Sequence, residues 1–264
     1  MRRIRTQATY LDRIVTWHRD RAAADTRPLG ELAERAATLP ETRGFARALT
    51  ASSGLAVIAE VKRRSPSRGD LRADLDPAAL SATYARGGAS ALSVLTDEQF
   101  FAGSAADLAA ARAATPLPVL RKDFTIGPRD VYDARAMGAD AVLLIVAALS
   151  RDEVTELHAL AGDVGLDVLV EVHDEEELAT AVDAGATLIG VNQRDLVTFE
   201  VDPARAQRMA AAIAAGVVKV AESGVRGAAD AHALAAAGYD AVLVGEALVT
   251  APDPARLIRD LKGE

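Results

Sequence analysis

Met137-Gly138-Ala139-Asp140-Ala141-Val142-Leu143-Leu144-Ile145-Val146 is the stretch on which the fold turns. A helical pattern stops at a glycine, and an apolar, partly β-branched run follows almost at once. Glycine suits the left-handed residue that closes a helix, and the run has the length and composition of a buried strand. The same junction returns as Gly87-Gly88-Ala89-Ser90-Ala91, Ala184-Gly185-Ala186-Thr187-Leu188 and Ala237-Gly238-Tyr239-Asp240-Ala241. Glycines 88, 138, 185 and 238 recur at a spacing of about fifty residues, the mark of an internal repeat.

Working outward, strand patterns at 55–61, 89–95, 118–121, 141–146, 167–172, 188–192, 217–222 and 241–245 are each followed by a helical pattern. The four glycine junctions lead into the even strands. Strands alternating with helices imply a parallel sheet, and eight pairs imply a closed (β/α)8 TIM barrel. An open doubly wound sheet is the alternative, but no G-x-G-x-x-G follows the first strand. Residues 1–50 read differently. Tyr10, Leu11, Ile14 and Val15 share one helical face, Pro28 and Pro40 bracket a second helical piece, and Phe45 and Leu49 begin a third. The expected organisation is an N-terminal helical extension (1–50) packed on a barrel (51–264), one domain overall.

Such barrels work at the C-terminal ends of their strands, and charge collects there. Strand 1 ends in Glu60 and Lys62, strand 2 in Ser93, Thr96 and Asp97, strand 3 in Arg121-Lys122-Asp123-Phe124. Strand 4 ends apolar, at Leu144 and Val146. Strand 5 ends in Glu171 and then His173, strand 6 in Asn192 with Arg194 beyond, strand 7 in Glu222, strand 8 at Gly245-Glu246. Glu60 and Lys62 alone read equally as a structural ion pair, since a buried charge must be paired or used. Three acids and two lysines on one rim favour catalysis. Ser223-Gly224 and Gly245-Glu246 each precede a helix and fit a phosphate site. Arg63, Arg64 and Arg68 form a basic loop, either solvated or a lid over an anion.

Composition narrows the classes. Half of the 264 residues are hydrophobic, the formal net charge is −8 and there is no cysteine. The acidic balance, with a pI of about 5.1, argues against a general nucleic-acid binder. Disulfides and thiolate metal sites are excluded. No apolar run is long enough to span a bilayer, and the basic start Met1–Arg5 leads into no signal core. The four histidines share no ligand spacing; His18 reads as a surface residue, and His173 receives no role. The expected partner is therefore a small phosphorylated molecule, with no metal, cofactor, nucleic acid or membrane, and the expected setting is the cytoplasm.

These pieces resemble the indole-3-glycerol phosphate synthase family. The resemblance is carried by Ile58-Ala-Glu-Val-Lys-Arg-Arg-Ser-Pro-Ser67, Ser93-Val-Leu-Thr-Asp97, Phe100-Phe-Ala-Gly-Ser104, Arg121-Lys-Asp-Phe124, Leu143–Val146, Leu169-Val-Glu-Val172, Ile189-Gly-Val-Asn-Gln-Arg-Asp-Leu196, Val220-Ala-Glu-Ser-Gly-Val225 and Val242-Leu-Val-Gly-Glu-Ala247. They cover all eight strands in order. The resemblance implies a carboxy-lyase of tryptophan biosynthesis, free of cofactors, that closes the indole ring of 1-(2-carboxyphenylamino)-1-deoxyribulose 5-phosphate. It implies Lys122 as general acid, Glu171 as general base, and Glu60, Asn192 and Glu222 as groups holding the sugar hydroxyls. Lys62 would bind an anionic end of the substrate and share the acid work. Ser65 and Arg194 match substrate contacts, Phe101 and Phe124 the pocket for the aromatic ring, and Ser223, Gly224, Gly245 and Glu246 the phosphate site. Several members carry serine where this chain has Glu246, so only the backbone N–H is expected to serve there. A monomer is expected, with other enzymes of tryptophan biosynthesis as open protein partners. An isomerase of a phosphoribosyl amine would not need Lys122, and a non-catalytic barrel would have lost some of the rim charges.

Overall fold

The computed structural model describes residues 9–66 and 68–264. The basic start at 1–5, the opening of the expected helical extension and Ser67 lie outside the described residues. Eight parallel strands close into a barrel in sequence order: β1 (Ala56–Val61), β2 (Ala91–Leu95), β3 (Val119–Lys122), β4 (Ala141–Ile145), β5 (Asp167–Val172), β6 (Leu188–Asn192), β7 (Val218–Glu222) and β8 (Ala241–Val244). The four junction glycines stand at φ of +88°, +86°, +81° and +91°. This is the left-handed region that a Cβ disfavours, so each helix stops where glycine lets the chain turn into a strand.

Alternation along the strands divides the apolar residues into two cores. Ile58, Leu120, Leu143, Leu169, Leu188, Val220 and Leu243 point inward and fill the barrel. Val57, Leu92, Val119, Leu144, Val170, Ile189 and Val242 point outward and pack under the helices. Leu144 and Val146, expected at the mouth, belong to the outer set; the cavity instead meets Leu143 and Ile145. Every residue of β4 is apolar, so its burial pattern alone did not fix which face looks inward.

The register places the rim charges on one level. Crossing two strands leads from Glu60 through Ser93 to Leu120, from Glu171 through Gly190 to Val220, and from Glu222 through Leu243 to Ile58. With the strands tilted in a barrel, the level residue lies two further on. Those residues are Lys122, Glu222 and Glu60. The four odd strands thus contribute Glu60, Lys122, Glu171 and Glu222 as a single layer above the apolar fill.

Among the described residues three helices precede the barrel: α1 (Tyr10–Ala24), α2 (Leu29–Ala37) and α3 (Phe45–Thr50). Thr9 and Asp12 cap α1 reciprocally, satisfying first-turn N–H groups. From α1, Tyr10, Leu11 and Ile14 reach the cavity at the mouth. α3 lies at the opposite end. Phe45 and Leu49 are fully buried in the inner core, and the Arg43 and Ala46 N–H groups donate to Asp140 and Asp167 at 2.7 and 2.9 Å. After β1 a short hairpin, Arg64–Ser65 against Gly69–Asp70, was not foreseen.

Candidate active site

All fourteen residues singled out from the sequence line one cavity of about 620 Å³ at the C-terminal mouth. Its floor is the charged layer. Lys122 Nζ donates to Glu171 Oε2 at 2.9 Å and Glu222 Oε2 at 3.2 Å. Lys62 pairs with Glu60. Asn192 Nδ2 donates to Glu171 Oε1 at 3.0 Å. Two glycines on even strands make room for these acids: a Cβ at Gly190 would collide with Glu222 Oε1, and one at Gly245 with Glu60 Oε1. No sequence signal distinguished Gly190 from an ordinary strand residue.

Burial and charge work against each other in this layer. Burial alone would lower the Lys122 pKa, but the Glu171, Glu222 and Glu60 carboxylates outweigh it and raise the pKa above the usual lysine range. Burial raises Glu171, yet Lys122, His173 and Asn192 bring it down to about 2. For Glu222 burial wins: with Glu171 already sharing the ammonium, its pKa is pushed up to about 7. Its Oε1 is buried with no hydrogen-bond partner among the described residues. Two equivalent-looking carboxylates therefore differ, one firmly ionised and one poised near neutrality.

The wall has an apolar and an anion-binding side. Phe101 and Phe124 lie 6.5 Å apart by ring centroids, beside Ile14 of α1 and Leu143 and Ile145 of β4. Across the cavity, Ser223 and Gly224 are both left-handed, at φ +64° and +76°. Consecutive N–H groups turned this way form a concavity suited to an anion. Gln193 Nε2 donates to the Ser223 carbonyl at 2.7 Å and holds that turn. Gly245 leads into a helical turn, Glu246–Thr250, whose first N–H groups have no intrahelical partner. The Glu246 carboxylate turns to Arg68, 3.2 Å away.

Among the loop arginines, Arg63 binds Asp107 at 2.7 Å and the Leu75 carbonyl at 2.9 Å, and Arg64 donates to the Gln99 carbonyl at 2.8 Å. These two hold the loop in place; Arg68 is the one at the cavity. Arg194 reaches the rim with its guanidinium on the Phe199 carbonyl at 3.0 Å. Arg121 faces outward, to Asp123 at 2.8 Å, Thr96 at 3.1 Å and the Asp130 carbonyl at 2.9 Å.

His18 is a correction. Expected on the surface, it is fully buried, with Nε2 2.8 Å from Asp97 Oδ2. Asp97 Oδ1 accepts the N–H groups of Phe100 and Phe101, so one carboxylate anchors α1 and caps the turn that carries Phe101. The partners are 79 positions apart in sequence, which is why a local reading missed them. His18, Asp97 and Asp123 lie close enough to share a cation, but the two carboxylates are already taken by these N–H groups, Arg121, Thr96 and His18 itself. No helix among the described residues is long and apolar enough to cross a membrane.

Comparison with known proteins identifies the fold and the family. The fold is similar to a thiamine phosphate pyrophosphorylase from Pyrococcus furiosus, with TM-score 0.60 and 18% identity over 79% of this chain and 94% of that one. A 3-hexulose-6-phosphate synthase gives TM-score 0.60 at 17% identity, covering 79% of this chain and 99% of that one. These likenesses speak to the fold alone. The indole-3-glycerol phosphate synthase of Streptomyces griseus is 54% identical over 233 residues, 88% of this chain and 86% of that protein. That of Aromatoleum aromaticum is 47% identical over 258 residues, 96% of this chain and 98% of that protein. With the family model for indole-3-glycerol phosphate synthase matching residues 11–261, the chain belongs to the indole-3-glycerol phosphate synthase family.

Proposed function

We propose that the mouth of this barrel converts 1-(2-carboxyphenylamino)-1-deoxyribulose 5-phosphate to indole-3-glycerol phosphate. The observation that carries the residue roles is the Lys122 ammonium held between Glu171 and Glu222 on the cavity floor. Attack of the ring carbon on the substrate's C2′ carbonyl develops an alkoxide. A fixed ammonium with a raised pKa remains charged and donates to that oxygen, which is more basic than the amine it meets. Carbon dioxide leaves, and its bonding pair restores the aromatic ring. The new hydroxyl then leaves as water with a proton from Lys62, or from Lys122 once that amine has taken a proton back from solvent. Glu171, ionised well below neutral pH, takes the last ring-forming proton.

The remaining roles follow from the chemistry of each wall. Phe101 and Phe124 line the apolar wall against which the anthranilate ring packs; Glu60, Asn192 and Glu222 hold hydroxyls and lysines. Ser223, Gly224 and Gly245 present N–H groups to the phosphate. Arg68 offsets the charge of Glu246 next to that phosphate, which is how a carboxylate is tolerated there. Lys62, Ser65 and Arg194 complete the grip on the substrate. We further take residues 1–50 as an extension within the same folding unit, and the protein as a cytoplasmic monomer. The test is to supply the deoxyribulose phosphate to purified, chelator-treated protein and follow indole fluorescence. Product formation that saturates with substrate supports the reading. A folded protein that binds the compound and returns it unchanged overturns it.

A further inference from the structure

His173 lies two residues beyond Glu171, just past the end of β5. Its Nδ1 is 2.9 Å from Glu177 Oε2, which also accepts the His173 backbone N–H at 2.8 Å. An ionised carboxylate only accepts, so in the neutral ring the proton sits on Nδ1 and Nε2 carries the lone pair. That Nε2 faces Glu171 Oε1 at 3.7 Å and is buried without a hydrogen-bond partner among the described residues.

The other groups around Glu171 leave His173 alone in what it can do. Lys122, on the second carboxylate oxygen, already holds its proton. Asn192, on the first, does not titrate. Arg205 is engaged elsewhere, donating to the Asn192 carbonyl at 3.0 Å. Side-chain exposure rises stepwise, from 2% at Glu171 to 11% at His173 and 20% at Glu177, so the three form a path from the floor of the site to water. Burial works to lower the His173 pKa, but Glu177 and Glu171 overcome this and raise it, so the ring holds a proton firmly once Glu171 delivers it and must release that proton before it can accept another.

We propose that His173 is a positioning residue that carries the aromatisation proton away from Glu171, held to that task by Glu177. This rests on the general-base role given to Glu171 above. The Glu171 O–H bond breaks as an Nε2–H bond forms, after the pair closes by about 1 Å to hydrogen-bond distance. The imidazolium passes its Nδ1 proton to Glu177, the most exposed of the three, which releases it to water; exchange with solvent then returns the ring to its Nδ1–H tautomer before the next turnover. No electrons change owner.

The test is the pH dependence of kcat and KM for indole formation by the parent, His173→Asn and Glu177→Gln, each with and without added imidazole. The expected result for His173→Asn is a kcat about tenfold lower, KM within about twofold, and a loss that imidazole reverses in step with its free-base concentration. Glu177→Gln keeps the ring but removes the acceptor that holds it, and should show a smaller loss of kcat with KM within about twofold and no gain from imidazole, which keeps the question open to test if the histidine variant folds poorly. An unchanged kcat in both variants overturns the proposal, as does a lowered kcat in folded His173→Asn that imidazole does not restore. Absence of product from the parent would instead defeat the reading of the function.

Discussion

The two ends of the barrel both bury carboxylates, and they treat them in opposite ways. At the N-terminal end, Asp140 accepts the Arg43 and Val119 N–H groups at 2.7 and 2.8 Å and pairs with Arg112. Around this buried acid, the half-buried Asp167 accepts the Ala46 N–H at 2.9 Å and the exposed Asp240 the Lys219 N–H at 2.8 Å. These acids tie loops and α3 to the strand starts. At the C-terminal end, Glu171 and Glu222 compete for one ammonium, their pKa values are driven apart, and Glu222 keeps an oxygen without a partner. A satisfied buried charge holds structure; an under-satisfied one retains reactivity, and its cost is met by the apolar fill beneath it.

The comparison is sharpest at Glu171. Glu171→Gln keeps the shape and removes the base, so kcat should fall by about 100-fold or more, with Tm little changed. A small effect in steady-state turnover would leave the aromatisation proton without its acceptor.

Glu222 should show itself through pH. As pH rises through about 7 Glu222 ionises, Lys122 becomes more tightly held and a poorer acid, and kcat should decline. Glu222→Gln should flatten that limb of the kcat profile. The stability sign is opposite to that of an ordinary ion pair. The folded state holds this proton more tightly than the unfolded chain, so the contribution to stability is lost between about pH 4.5 and 7 as pH rises. At pH 8 the glutamine variant should therefore melt no lower than the parent. A kcat profile with the same alkaline limb in both proteins would show that the limb belongs to another group.

The smallest effect on rate belongs to the floor. Asp140→Ala should leave kcat within about twofold while costing about 3 kcal/mol by stranding Arg112 and two N–H groups. Thermal melts and turnover measured on one preparation would check this; a large kcat loss with an unchanged Tm would erase the contrast between the ends.

How much of this was legible in the sequence follows from range. The eight strands and the glycine junctions are local patterns, and they stand within two residues of where they were read. Glu60, Lys122, Glu171 and Glu222 were legible because each charge ends an apolar run on an odd strand. The level on which they meet comes from strand register, which no local pattern encodes. His18 depended on a partner 79 residues away. Arg63 and Arg64 read as a possible lid because their anchors, Asp107, Leu75 and Gln99, lie in other segments. Gly190 and Gly245 act through the space they leave, which only the neighbouring side chains reveal.

The most direct measurement is single-turnover indole formation by Lys122→Ala at saturating substrate, with substrate affinity measured on the same protein. The account predicts that the substrate still binds and that the rate falls by about 100-fold or more. Turnover within a few-fold of the parent would contradict it, because the charged layer would then be holding the barrel together rather than closing the ring.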